Sequence, residues 1–205
     1  IFCLQVFAAD QVVFWRESAS GISVPAYFFS RLHMNTIDVL LLSFVFVAVY
    51  FAVRQPFVCF TRFFCPFLLT AYAASGWGYF VSTVVPPKHG PFIVSLVVFV
   101  ICGLLGNPSN LREFLQGGIM EVAVDTLSIT RWAIQMNFNY AFRQLRPQPA
   151  GPEEQHILQM SKDVFLRGGE FSEQWLPAAV LLAMGTGLRI ASFAGLRFTN
   201  RDKQV

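Results

Sequence analysis

Thr36–Val53 reads TIDVLLLSFVFVAVYFAV, and the only charge in the run is Asp38. Wound as a helix, Ile37–Val53 is about 25 Å long, close to the thickness of a bilayer's hydrocarbon layer when the flanks contribute. Thr36 can cap it, with Asp38 in the positive first turn. Arg54-Gln55-Pro56 ends it. The whole chain agrees with lipid as its solvent. Its 205 residues are 55% hydrophobic with 23 Phe and only 13% charged, about half the charge of a soluble domain. Mean hydropathy is +0.52 and the pI about 8.8. A net charge of +3 is too small and too scattered for a nucleic-acid surface. It suits Lys and Arg concentrated on cytoplasmic loops.

Similar runs lie on either side. The chain opens on Ile1 in mid-run, so residues 1–9 are expected to be the tail of a span and the sequence a piece of a longer protein; no basic n-region or A-x-A site marks a signal peptide. Phe63–Val85 is an uncharged run of about 34 Å as a helix. Its Ser75-Gly76-Trp77-Gly78 offers small residues for close helix packing. Pro86–Pro91 is a turn. Phe92–Gly106 is apolar but short, a broken or re-entrant segment. Trp175–Leu196 is a last span with an interfacial Trp. Arg189 lies inside it toward the far end, where it can snorkel, or else serve a function. Between these spans, Leu111–Val124 has a helical apolar face. Arg131–Arg143 alternates apolar and polar with strand period, although a lone strand at a membrane would leave its edges unpaired. Arg146–His156 is a linker.

The first polar interval, FWRESASGISVPAYF at Phe14–Phe28, sets Arg16 and Glu17 side by side. Asp10 can cap a helix whose Val12, Trp15, Ala19 and Ile22 share one face, with Arg16, Ser20 and Ser23 on another. This is an interfacial helix, which Gly21 and Pro25 weaken or bend. A cytoplasmic tail places 10–35 and the Pro86–Pro91 turn inside, with Arg16, Arg31, Lys88, Arg197, Arg201 and Lys203. The short outer loop then holds only Arg54 and Arg62.

FWRESASGISVPAYFFSR resembles the first intracellular loop of G-subfamily ABC transporters, the white/breast-cancer-resistance type of half-transporter, where R-E-x-x-x-G precedes Y-F and the third span. Ser75-Gly76 and Tyr79 sit in the expected fourth helix. In ICGLLGNPSNL, Gly103-Leu104-Leu105 resembles the family's di-leucine element at the end of the fifth. Leu127-Ser128-Ile129-Thr130-Arg131-Trp132 resembles its S-x-x-[RK]-[aromatic] element. Gly169–Trp175, a final span and a basic tail resemble its end. The resemblance implies an all-α polytopic bundle of the ABC-2 exporter type. Its segments would be residues 1–9 (end of the second span), 10–35 (intracellular loop with coupling helix), 36–53, 63–85 and 90–106 (third to fifth spans), 107–174 (outer loop with short helices), 175–197 (last span) and 198–205 (cytoplasmic tail). It also tips Arg131–Arg143 toward helix.

The resemblance further implies the membrane part of an ATP-driven exporter of lipids, sterols or hydrophobic small molecules, in a plasma or organelle membrane. Its partners would be a second half-transporter, as homo- or heterodimer, and a nucleotide-binding domain. Arg16, Glu17 and Gly21 would couple to that domain, or form an interfacial salt bridge or cap. Leu104 and Leu105 would form the gate, or be plain core or lipid-facing leucines. No GxxxxGK[ST] loop occurs in the chain, so ATP and Mg are expected in a nucleotide-binding domain elsewhere, and none binds here. The absence of cysteines between Asn107 and Gln174 departs from many relatives and argues against an outer disulfide. Cys3, Cys59, Cys65 and Cys102 read as buried thiols, and His33, His89 and His156 lack ligand spacing. No carboxylate pair or GxSxG points to a hydrolase, which disfavours a membrane enzyme. A non-transporting scaffold or degenerate half-transporter is the alternative.

Overall fold

A computed structural model describes residues 20–21, 23–55, 59–85, 89–104, 127–145 and 175–198, and these contain helices and no strand. We label the helices α1 (Val24–Arg54), α2 (Phe60–Val84), α3 (Gly90–Val98, continued by a π-helical turn at Phe99–Leu104), α4 (Ile129–Leu145) and α5 (Trp175–Phe198).

α1 has 31 residues and is about 46 Å long. It starts twelve residues before the expected span at 36–53, because no Gly or Pro interrupts the chain from Ala26 to Val53. Pro25 lies in its first turn, where a missing N–H costs nothing and a fixed φ helps, so it starts this helix; the interfacial helix expected from Asp10 falls outside the described residues, apart from the turn at Ser20 and Gly21. Thr36 is an interior residue and not a cap: its hydroxyl donates to the Leu32 carbonyl at 2.7 Å. The helix stops where Gln55 turns left-handed (φ 43°) and gives its N–H to the Phe51 carbonyl, just before Pro56, which could not continue it.

α2 runs antiparallel to α1. Asn35 meets Tyr79 at one end. Toward the other, Tyr50 stacks on Phe63 with centroids 4.9 Å apart, and Phe51 and Phe44 meet Phe60. α5 lies parallel to α2, since Gly76 meets Gly185, Tyr79 meets Ser192 and Thr83 meets Gly195 in the same order along both chains. This seam is close. A Cβ on Gly76 would lie 3.1 Å from both the Gly185 carbonyl oxygen and the Leu188 Cβ, and one on Gly185 would lie 2.5 Å from the Tyr72 ring and 3.3 Å from the Ala73 Cα. Small residues at such a seam let two backbones approach, as membrane helices commonly do.

α4 resolves the ambiguity over Arg131–Arg143. Strand period would put Ile134 and Met136 on one face, but Ile134 is 36% exposed and Met136 only 2%. Ile129, Trp132 and Met136 share the buried side, which is helical spacing. Two clusters complete the packing. Phe28 of α1 joins Tyr79 of α2 and Leu196 of α5. Ile101 of the π-turn and Ile129 of α4 join Ala73 of α2 and Leu181 of α5.

The polarity of the bundle is inverted. Helix α1 exposes Phe29 (64%), Leu42 (61%) and Val53 (81%), while Asn35, Ser75, Arg189 and Ser192 are buried. Among the described residues, two helices, Val24–Arg54 and Trp175–Leu196, are long and apolar enough to cross a membrane. Their core-facing share is low, unlike the buried helix of a soluble domain. Gly185→Ala is expected to destabilise the protein by about 1–3 kcal/mol, by driving Tyr72 off its position. Gly187→Ala, whose Cβ meets nothing within 4 Å, is expected to be neutral. Thermal unfolding of the detergent-solubilised protein checks the difference.

Candidate functional site

The most polar part of the interior is the seam between α2 and α5. Arg189 lies about 21 Å along α5 from Trp175 and is 5% exposed. Its Nη1 donates to the carbonyls of Tyr72 and Gly185, each at 3.0 Å, and its Nη2 donates to the Ser75 hydroxyl at 2.6 Å. The guanidinium carbon stands 3.7 Å from the centroid of the Tyr72 ring and 5.3 Å from that of Tyr79. The cation is thus held by two carbonyl dipoles, a hydroxyl and two aromatic faces, a combination suited to a planar guanidinium and not to an ammonium. Arg189 does not snorkel as expected. Partners lie within reach inside the bundle, and the side chain turns to them.

The seam extends to a third helix. The Tyr79 ring is fully buried, and its hydroxyl is hydrogen-bonded to the Nδ2 of Asn35 on α1. Its backbone carbonyl accepts from Ser192 at 3.2 Å and from Ser82 at 2.8 Å. Tyr79 therefore joins α1 through its side chain and α5 through its backbone. Polar groups placed inside an apolar bundle are satisfied there or cost free energy, so the geometry fixes how these three helices sit. Asp38 is the only carboxylate among the described residues, and it is exposed. The described residues of the seam offer hydrogen bonds and a fixed positive charge.

Of the expected site residues, Arg16, Glu17 and Leu105 fall outside the described residues. Gly21 is exposed in a turn, with φ at +98° and nothing within 4 Å of a Cβ placed on it; the left-handed backbone is what requires glycine there. Leu104 closes the π-turn of α3. Of the S-x-x-[RK]-[aromatic] element, Ser128 is fully buried and accepts the Arg131 N–H at 3.3 Å, the geometry of an N-cap to its third helical residue. The Arg131 guanidinium carbon stands 6.0 Å from the Trp132 ring.

Sequence reasoning passed over Asn35, Tyr72 and Ser192. A signal was present: Tyr72, Ser75, Tyr79 and Ser82 recur every three or four residues along α2, as do Gly185, Arg189 and Ser192 along α5. In an apolar helix that period marks the face turned away from lipid.

A family model described as "ABC-2 type transporter" matches residues 1–141. Among curated proteins, the chain is 32% identical over 136 residues to the ABC-type transporter claG of Penicillium crustosum, covering 66% of this chain and 18% of that protein. It is 25% identical over 107 residues to the putative white-brown complex homolog protein 30 of Arabidopsis thaliana, covering 52% and 10%. It is 23% identical over 136 residues to ABC transporter G family member 28 of the same plant, covering 66% and 12%. The chain thus spans less than a fifth of the length of these relatives. No solved structure is a significant match.

Arg189→Lys keeps the charge and loses the fork and the stacking. It is expected to cost about 1–3 kcal/mol of stability, read by denaturant or thermal unfolding in detergent. Ser128→Ala removes the cap of α4 and is expected to cost about 1 kcal/mol by the same measurement.

Proposed function

The chain belongs to the ABC-2 type transporter family, as a G-subfamily transmembrane domain, and on that premise we propose that it is the multi-pass membrane part of an ATP-driven exporter. In this reading α1, α2, α3 with its π-turn, and α5 cross the bilayer as the third to last spans. The antiparallel α1–α2 pair and the parallel α2–α5 pair, with α3 between them in sequence, are what alternating crossings produce. The chain has no phosphate-binding loop, so ATP would be hydrolysed by a nucleotide-binding domain outside it. A second half-transporter would complete the pathway.

The observation that carries this reading is the inverted polarity of the bundle. From Leu40 to Val53, α1 turns Leu, Phe and Val outward, while Asn35 of α1, Ser75 of α2 and Arg189 of α5 are buried in the interior. Intramembrane polar groups of this kind belong to bundle interiors and pathways. Apolar walls of this composition favour an amphipathic or hydrophobic cargo, which makes lipids, sterols or hydrophobic small molecules the substrate class. Arg16, Glu17 and Gly21 would receive the movement of the nucleotide-binding domain at the cytoplasmic face. Leu104 and Leu105 would narrow the route at the end of the fifth span.

Vesicles bearing the intact protein test this directly. ATP-dependent uptake of a fluorescent phospholipid or sterol into inside-out vesicles is expected, and its complete absence across such probes, with ATPase activity intact, would favour a non-transporting scaffold. Glu17→Ala is expected to lower uptake by about tenfold while leaving nucleotide binding in place. Unchanged uptake would remove Glu17 from the coupling.

A further inference from the structure

We infer that Arg189 fastens α2 and α5 into one moving part, so that the transport cycle shifts this pair as a unit and does not open the seam between them. The inference rests on the exporter reading for its functional consequence, though not for its structural content.

The contacts between helices here are of two kinds. The far half of the α1–α2 contact is made of aromatic rings: Tyr50 on Phe63, Phe51 and Phe44 against Phe60, Phe46 over Phe67. Ring contacts hold over a range of offsets and tilts, and the tilts here run from 9° to 70°. Such a surface slides at little cost. The α2–α5 seam is the opposite case. Arg189 donates across it to a backbone carbonyl and to a side-chain hydroxyl of α2, and holds its own helix through Gly185. These bonds are charge-assisted and directional, and the arginine fork loses both of its bonds to α2 together if α2 shifts along α5. The backbones on either side approach closely at Gly76 and Gly185, and Gly195 lies against the Thr83 side chain, which leaves little room for a solvent molecule or cargo to replace the lost partners. The parallel course of the two helices also suits joint motion, because both present the same end to each face of the membrane.

Arg189 is accordingly a positioning residue. It touches no cargo; it keeps α5 in register with α2 while both respond to a push from elsewhere. Without it, part of the movement delivered at one helix would be lost as slippage in the seam. The signature is a fall in cargo moved per ATP consumed, which a residue needed only for folding would not produce in the folded fraction.

The Thr83–Gly195 contact provides the test, since a Cβ on Gly195 lies 3.5 Å from that of Thr83, within the range a disulfide spans. In the intact protein with its native cysteines replaced, Thr83→Cys/Gly195→Cys is oxidised and reconstituted. The rate of disulfide formation is expected to be the same without nucleotide, with ATP, and with vanadate-trapped nucleotide. A rate that changes severalfold between these states means the seam opens, and overturns the inference. This arm needs no cargo, so it stands even if the exporter reading fails. The oxidised protein is expected to export within about twofold of its reduced form, and a loss of about tenfold or more on oxidation, reversed by dithiothreitol, also overturns it. Finally, Arg189→Met is expected to lower export per ATP by about tenfold, with the oxidised disulfide in the same background restoring most of it. Failure of the disulfide to restore coupling overturns the role given to Arg189. Should Arg189→Met not fold, Arg189→Lys takes its place, with a smaller loss and the same restoration expected.

Discussion

A guanidinium enclosed in an apolar bundle has to find its partners inside, and this requirement organises the packing around Arg189. The Tyr72 ring can lie under the cation only because Gly185 has no side chain to displace it. The Tyr72 carbonyl and the Ser75 hydroxyl come within reach only because Gly76 lets the α2 backbone approach α5. Tyr79, one turn further along, faces the same cation and extends the constraint to α1 through Asn35. Small residues, aromatic rings and hydroxyls that look unrelated along the chain are therefore parts of one arrangement. A change in any of them is felt first at Arg189, because hydrogen bonds to a charge weaken steeply with misalignment.

The same arrangement explains why the bundle is polar within and apolar without. In water, burial of apolar surface would hold the helices together. Against lipid that force is absent, and close packing with internal hydrogen bonds must replace it. α1 shows the consequence. Its outer face is crowded with Phe, Leu and Val, and its inward residues include Asn35 and Ser43. Ser43, Thr36, Thr70 and Thr186 return their hydroxyls to carbonyls one turn back in their own helices, which meets their needs without a tertiary partner. Asn35 reaches Tyr79 on another helix, and Ser75, while donating to the Tyr72 carbonyl of its own helix, also accepts from Arg189 across the seam; these are polar residues that fix how the bundle sits.

Much of this was legible in the sequence, and the limits have physical causes. Runs such as Thr36–Val53 announce lipid contact by composition alone, and the all-helical architecture follows from it. The start of α1 was less legible, because Thr36 with Asp38 imitates a cap, and only the absence of a helix breaker between Ala26 and Val53 decides against it. α4 misled more strongly: its alternating residues satisfy a strand pattern, and the burial of Ile129 and Met136 against other helices overrides it. Arg189 could be located but not oriented. Snorkelling and burial are both open to an arginine at that depth, and the choice depends on Tyr72, Ser75 and Gly185, more than a hundred residues away or one turn back. The period of polar residues along α2 and α5 held that information, but only when the two helices are considered together.

Among the described residues, the π-turn and the start of α4 pack against the α2–α5 pair. The π-turn at Phe99–Leu104 and the Ser128-capped start of α4 both reach the cluster built on Ala73 of α2 and Leu181 of α5. The π-turn is covered on one side only, with Ile101 5% exposed and Phe99 62% exposed, and such turns within helices are frequent at functional positions. The indole N–H groups of Trp77 and Trp132, at the edge of the same cluster, are buried without an acceptor among the described residues. That cluster lies beside the Arg189 seam: its Ala73 Cα would stand 3.3 Å from a Cβ on Gly185, and its Leu181 belongs to α5. Along the seam α2 is held by directional bonds from Arg189, which resist displacement. Toward the π-turn and α4 the same pair makes apolar contacts, which are non-directional and lose less when a neighbouring segment shifts. The two kinds of contact adjoin on α2 and meet at Ala73.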